Sequence, residues 1–591
     1  MVYILVSFIP WIIYWVLCGM GNESGVVVAF AISLFLMASQ IRRRDFSPME
    51  FTSALYFTIA VAGTFIFNLN IFVENSGFLS YIVLFLMAVS SLIVKQPFTL
   101  QVSKRDYPEI YWKDKMFLTI NNLITIVWAA IFLSNAAVFL LLTMPFKVIL
   151  SSILIVLGIA FSIIFPLKAP AYFASRDFKK YDWSVEVNLQ RPKGENKYDV
   201  IVVGSGIGGL ACGALLSKRG YRVLVLEQHS QVGGYCSSFK RKGFVFNAGV
   251  EDVSGLWERG PLTYLLRDLG LKKDDLFVRN TTKFIFKGRG IEAKNLDEFI
   301  KLLVEMFPNE RESIHAFFRE AEKAYDECYK DAVYGAPLPA EIIVKVFGEK
   351  RFLNYPREHP HFYDWMNKTY KQKLDEYFRD EDLKALLCAL LGYLGTEPEK
   401  TLASSALTAC VSYYLYGGYF PKGGAQRFAD SLKEVIQSCG GEVLVKHKVD
   451  KILVEDGEVK EVKVGEKIFK APVIVANANV KTTFLELVGE DNLDKKFINY
   501  IKGLKMSPSV FMVFLGVDMD LSSYPTLIKD LDEGIDIVIN SNADPRLAPK
   551  GKASVTILTG TNYNDFPERG TEEYSKKKRR MAEMLIRKAE R

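Results

Sequence analysis

The chain has 591 residues, 50% of them hydrophobic, and a formal net charge of +7. At this length several domains are expected, core size is no limitation, and so modest a positive charge gives no sign of a nucleic-acid partner. Seven scattered cysteines without a C-x-x-C spacing, and five histidines (His359 and His361 among them) without accompanying ligands, indicate neither a disulfide framework nor a metal site.

Nearly all the long apolar runs lie before Pro170. They cover Val2 to Gly19, Gly25 to Ser39, Phe51 to Val73, Gly77 to Val94, Phe117 to Met144 and Val148 to Leu167. Most approach the length a helix needs to cross hydrocarbon, and Gly25 to Ser39 is the shortest. The first run lacks a basic start and a small-residue cleavage site, so it is expected to be retained. Arg42, Arg43 and Arg44 follow the second run; Lys95, Lys104, Arg105, Lys113 and Lys115 lie between the fourth and fifth; Lys168, Arg176, Lys179 and Lys180 follow the sixth. The opposite loops carry only Lys147. By the positive-inside rule this predicts about six crossings with both ends in the cytoplasm, as in an integral protein of a prokaryotic plasma membrane. No Asp, Glu, Lys, Arg or His falls inside the runs, which argues against a proton relay and leaves anchoring as the expected role. The loop PFTLQVSKRDYPEIYWKDKMF reads as an interfacial helix, and Asn121 and Asn122 are candidates for bonds between helices.

A polar, aromatic linker with Pro192 and Gly194 follows. Then DVIVV reads as a strand buried on both faces, and Gly204, Gly206 and Gly209 fit G-x-G-x-x-G. The first glycine permits a tight turn, the second lets a diphosphate approach the backbone, and the third allows close packing of the helix that opens there. YRVLVLE forms a second strand ending in Glu227, placed to accept from ribose hydroxyls. Strand, turn, helix, strand and acid in order predict a dinucleotide site, with NAD and FAD both open. Gly233-Gly234 and YCSSFKRKGFVFNAG follow, a glycine-marked return suited to a longer cofactor; Cys236 within it reads as a small filler.

Apolar positions Phe299, Leu302, Leu303 and Met306 recur at helical spacing, and helical patterns continue towards Leu415 as a substrate cap. Within it, APLPAEIIVKVFGEKRFLNYP reads as an amphipathic helix packed on the cap, with entry into a membrane interface as the alternative. At Phe420 the cofactor fold resumes: PKGG leads into the helix AQRFADSLKEVIQSC, then strands alternate with glycine turns as far as VIVANA, whose end should return near the cofactor. SVFMVFLGV is expected to be a strand of the substrate-domain sheet, and KKKRR, Lys576 to Arg580, a solvated helix face.

Glu227, the Gly233-Gly234 pair and GFVFNAG, with YFPKGGAQRFADSLKEVIQSCGGEVLVKHKVDKI, VIVANANVKTTFLELVG and NADPRLAPKGKASVTIL, resemble the phytoene desaturase, carotenoid isomerase and retinol saturase family over most of Lys197 to Arg591. The resemblance implies FAD, a fold similar to amine oxidases and a polyprenoid lipid as substrate. It implies cofactor contacts at Gly204, Gly206, Gly208, Gly209, Glu227, Gly233, Gly234, Ser237, Val449 and Ala476, with the backbone of Val449 against the adenine. It names no catalytic side chain. In the family an Asp usually stands where this chain has Asn247, and members continue with another glycine-rich segment beside the flavin that nothing here matches. A continuation or a second polypeptide is expected to supply it.

The expected fold is therefore multidomain: an N-terminal all-α transmembrane bundle (1–168), a linker (169–196), and an α/β Rossmann-like FAD-binding domain (197–265 and 420–482) with an inserted α+β substrate domain (266–419 and 483–591). The expected function is a membrane-anchored oxidoreductase that desaturates, saturates or isomerises a polyprenoid. Since no second nucleotide fingerprint is present, a quinone or oxygen would take the electrons. The alternatives are an amine-oxidase-like enzyme with a polar substrate and a non-catalytic membrane scaffold.

Overall fold

The computed structural model describes residues 2–42, 47–106, 112, 115–178, 194–330 and 349–591. The chain forms two compact units, Met1–Asp182 with Pro339–Pro360 and Asn367–Thr369, and Trp183–Leu338 with His361–Met366 and Tyr370–Arg591.

The first unit is helical. Among the described residues five helices are long and apolar enough to cross a membrane: Ser24–Arg42, Pro48–Ile66, Ser76–Ile93, Met116–Leu141 and Phe146–Pro166. The first run is the apolar helix Val2–Gly19, and the second, the shortest of the six in sequence, lies in the helix Ser24–Arg42. The third run stops short of Val73, because its helix widens into a π-turn at Ala62–Ile66 and ends before Asn68, whose φ is +51°. That same helix starts at Pro48, which brings Glu50 into its first turn. Glu50 is buried and accepts from Ser7 Oγ at 2.5 Å, so one carboxyl does lie inside the bundle, one residue outside the apolar run. The core is aromatic and selectively polar: Trp11 Nε1 donates to Ser53 Oγ at 2.7 Å, and Ser103 Oγ donates to Asn121 Oδ1 at 2.7 Å, bonding one helix to another.

Arg43, Arg44, Lys113, Lys179, Lys180, linker residues 179–193 and residues 336–348 of APLPAEIIVKVFGEKRFLNYP (336–356) lie outside the described residues. The end of that stretch, the helix Glu349–Glu358, groups with the first unit and lies against Phe146–Phe178.

The second unit is built around the strand Val200–Val203, buried at every residue. It pairs in parallel with Val223–Leu226 on one side and Val473–Ala476 on the other, and Glu442–Leu444 completes a four-stranded sheet. Side chains alternate along a strand. Val200 and Val202 thus pack with Leu210, Ala214, Phe428 and Leu432 of the helices Ile207–Lys218 and Ala425–Ser438. Ile201 and Val203 face Ile452, Val462 and Phe469 of a three-stranded antiparallel sheet. Each such side chain contributes roughly 1.5–3 kcal/mol when fully buried, so the strand is anchored from both faces. The chain leaves this strand on one side for Val223 and returns on the other at Val473, and that reversal opens a crevice at the carboxyl ends of the strands.

A second sheet has six strands in the order Ser509–Val517, Ala553–Thr561, Ile535–Ile539, Leu527–Asp530, Thr282–Phe286, Arg289–Glu292. Only Leu527–Asp530 and Thr282–Phe286 run parallel. The helix Glu572–Ala589 closes one face through Leu585 and leaves Lys576–Arg580 exposed, a solvated face as the sequence suggests.

Candidate functional site

The glycine turn follows directly from the central strand. Gly204 has φ +97°, and a Cβ there would meet the carbonyl oxygen of Asn477 at 2.3 Å. A Cβ on Gly209 would meet Gly204 O at 2.2 Å, so the helix can start this close to the strand only with glycine. Gly206 is the helix N-cap and brings no side-chain cap, which leaves the first N–H groups of Ile207–Lys218 open to an anion.

Glu227 is 5% exposed and aims across the crevice at this turn. Its Oε2 accepts from Ser205 N at 2.9 Å and Ser205 Oγ at 2.6 Å, and its Oε1 from His229 N at 2.8 Å. A carboxylate has about four acceptor positions, so one on Oε1 is left for a ribose hydroxyl. Burial pushes the pKa of Glu227 up, but the hydrogen bonds from Ser205 and His229 outweigh it and hold the carboxyl below its ordinary value. Ser205, the unassigned x of the motif, is therefore the residue that orients the acid, and its hydroxyl in a G-S-G turn is the signal that would have found it.

The Gly233-Gly234 loop lies on the glycine turn: Gly233 N donates to Ser205 O at 2.9 Å, and Gly206 and Gly233 form a parallel bridge. Ser237 spends its hydroxyl on Gly234 O at 2.8 Å, holding the loop. Cys236 is buried with Sγ 3.6 Å from Ala425 O, and burial pushes its thiol up to about 12, the behaviour of a filler. Asn247, 3% exposed, accepts at Oδ1 from Ala425 N at 2.8 Å and Ser238 Oγ at 2.9 Å, tying the helix Ala425–Ser438 to the loop's return strand. Its buried Nδ2 has no partner among the described residues.

Val449 is buried in the sheet core, and just before it His447 N donates to Glu227 O at 2.7 Å, so this segment flanks the acid. Ala476 is in register with Val203. Beyond it Asn477, at the strand end expected to return here, lays its amide on the turn: would-be Cβ atoms at Gly206 and Gly208 lie 2.8 Å from Oδ1 and 2.9 Å from Nδ2. All ten candidate positions thus gather at one end of the sheet, with Glu227 at the open side and Asn477 as the opposite wall.

A second polar cluster carries no sequence motif. Lys529 Nζ, on a side chain 4% exposed, lies 3.2 Å from Glu251 Oε2 and 2.9 Å from Asp536 Oδ2, with the Tyr393 ring 4.4 Å away. Tyr393 OH donates to the same Glu251 oxygen at 2.9 Å, and Tyr413 OH donates to Asp252. Burial pushes Asp252 up to about 6, Glu251 adds to the rise, and Tyr413 and Lys529 limit it. Asp536 is also raised by burial, against the pull of Lys529. The sequence gives no hint of this grouping, because its members come from four distant stretches of chain.

The family model described as flavin containing amine oxidoreductase matches residues 207–582. The all-trans-retinol 13,14-reductase of Danio rerio is 28% identical over 420 residues, covering 63% of this chain and 67% of that protein. The chloroplastic prolycopene isomerase of Daucus carota is 28% identical over 419 residues, covering 67% of this chain and 66% of that protein. The chain thus spans about two thirds of the length of these relatives. Among solved structures, an oxidoreductase from Methanosarcina mazei matches with a TM-score of 0.47 at 20% identity, covering 66% of this chain and 83% of that one.

Proposed function

The chain belongs to the flavin-containing amine oxidoreductase family, and from that footing we propose that it is a membrane-anchored FAD-dependent oxidoreductase that desaturates, saturates or isomerises a polyprenoid lipid. The observation that carries the reading is the crevice where Glu227, the glycine turn and the Gly233-Gly234 loop converge. In this reading the diphosphate lies on the open N–H groups after Gly206, the ribose bonds to Glu227, and the adenine lies near Val449. Asn477 either bonds the diphosphate or swings aside for it; it is exposed and free to do so. Bound flavin supplies two-electron chemistry at a C–H bond, and the protein has only to orient that bond and exclude water.

The apolar helices suit a substrate that partitions into lipid, and the arginine and lysine pattern orients the flavin unit towards the cytoplasm. Electrons would leave through a membrane quinone or oxygen. The test is purification of the full-length chain in detergent: the flavin absorbance spectrum should be retained, and anaerobic addition of a carotenoid or retinoid should bleach or reoxidise it. An intact, folded chain that takes up no FAD would refute the reading.

A further inference from the structure

Asp252, Glu251 and Asp536 place three carboxyls around one ammonium group. Lys529 is committed to Glu251 and Asp536, at 3.2 Å and 2.9 Å. Among the described residues the acid left without a close cation is Asp252, whose donors are neutral: Tyr413 OH, and Asn280 Nδ2 at 3.4 Å. An interior that holds more carboxylates than cations keeps a proton instead. Asn280 is suited to either state, because its buried Oδ1 has no partner among the described residues, and turning the amide over presents that oxygen to a protonated Asp252.

Position gives this proton a use. The loop carrying Asp252 starts at Gly249, where a Cβ would stand 3.3 Å from Tyr235 of the Gly233-Gly234 loop. Val253 pairs with Tyr419, which leads into the Gly423-Gly424 turn of the cofactor fold. Lys529 and Asp536 come from the six-stranded sheet. Asp252 therefore sits where cofactor loop and second sheet meet. Asn280, Tyr413, Gly417 and Gly418 line a recess beside it, and a Cβ on Gly418 would collide with both Tyr413 and Asp252. Tyr393, 44% exposed, has its ring beside Lys529, and its surroundings push its hydroxyl well above the ordinary value. Thr282, Arg279 and Lys294 also face this side.

Building on the flavin oxidoreductase reading, we propose that Asp252, with Tyr413, is the proton-exchanging group of the site: it gives a proton to, or takes one from, a carbon of a bound polyene. When the C–H bond forms, the electron pair on carbon takes the carboxyl proton and Asp252 is left as carboxylate, stabilised by Tyr413 and Lys529. In reverse, the carboxylate takes the proton and the C–H electron pair stays on the substrate. The two electrons would pass to or from flavin when it is bound, and water restores the proton of Asp252 between turnovers. Glu251, Lys529 and Asp536 are positioning residues that set the local charge.

Infrared titration of the full-length chain in detergent, without added flavin, tests this directly. A protonated-carboxyl band titrating near pH 6 is expected, absent from Asp252→Asn and moved to higher pH in Tyr413→Phe, which keeps the acid but removes its donor. A band unchanged in both variants overturns the proposal. After FAD is added, Asp252→Asn should keep the flavin spectrum and lose about 100-fold or more in turnover of a polyene; wild-type turnover overturns the proposal. A titrating band in a chain that binds no flavin supports the proton site and refutes the wider functional reading.

Discussion

Glu227, a buried acid, and Asp252, a half-buried one, both belong to the second unit and are each bonded to a hydroxyl, yet their carboxyls lie on opposite sides of the ordinary range. Burial raises both. Glu227 is pulled back by two backbone N–H groups besides the serine hydroxyl, because it sits at a strand end where the turn exposes donors. Asp252 has a phenol, one long amide contact and a neighbouring carboxyl instead. The direction of a buried acid is thus set by the fixed donors around it. One region favours the charged form, and the other favours the protonated form more than an ordinary aspartate does.

The strongest way to break the comparison is Gly204→Ala, which forces a Cβ against Asn477 O at 2.3 Å in a backbone with φ +97°. The turn that supplies Ser205 should open, with a loss of about 4 kcal/mol in chemical denaturation and no flavin uptake. Lys529→Met comes next, at about 3 kcal/mol, because it strands Glu251 and Asp536 without their cation. Its signature is pH: the loss should shrink at low pH, where the acids are neutral, and the Asp252 band should move up.

Glu227→Gln sharpens the contrast at about 1–2 kcal/mol. The native pKa of Glu227 is lowered, so its stabilisation is present above the unfolded value and is lost as pH falls through the native one. The variant should therefore be weaker at neutral pH and converge with wild type in acid. Asp252 has the opposite sign. Between its ordinary 3.8 and about 6 the native state binds more protons, so stability falls as pH rises, and Asp252→Asn should gain over wild type above that window. Parallel pH profiles for the two variants would remove the distinction.

The two regions also differ in how far they were legible. Gly204 to Glu227 was readable because a turn, a helix start and a strand end are local events with fixed spacing. The partner of Glu227 was one step away, in Ser205. The cluster was not readable, since Asp252, Tyr393, Tyr413 and Lys529 meet only through cap and sheet packing, and each alone looks like a surface residue. Glu50 escaped for a smaller reason: Pro48 starts the helix before the apolar run begins, which carries the acid inside. The helix Glu349–Glu358 shows that an amphipathic pattern announces a buried face without naming what covers it.

The smallest expected effect concerns Asn247, and it separates two demands on one position. Its Oδ1 accepts from Ala425 N at the start of the helix Ala425–Ser438, a duty a carboxylate performs better because of the helix dipole. Its Nδ2 is a buried donor without an acceptor, which a carboxylate lacks altogether. Against this stands the cost of burying a charge, offset by the donors at Ala425 N and Ser238 Oγ. Asn247→Asp should then stabilise by about 0.5–1 kcal/mol at neutral pH, with the gain fading in acid as the new carboxyl is protonated. A loss at neutral pH would mean that desolvation outweighs the helix N-terminus here, and that Asn247 behaves as Asp252 does and not as Glu227.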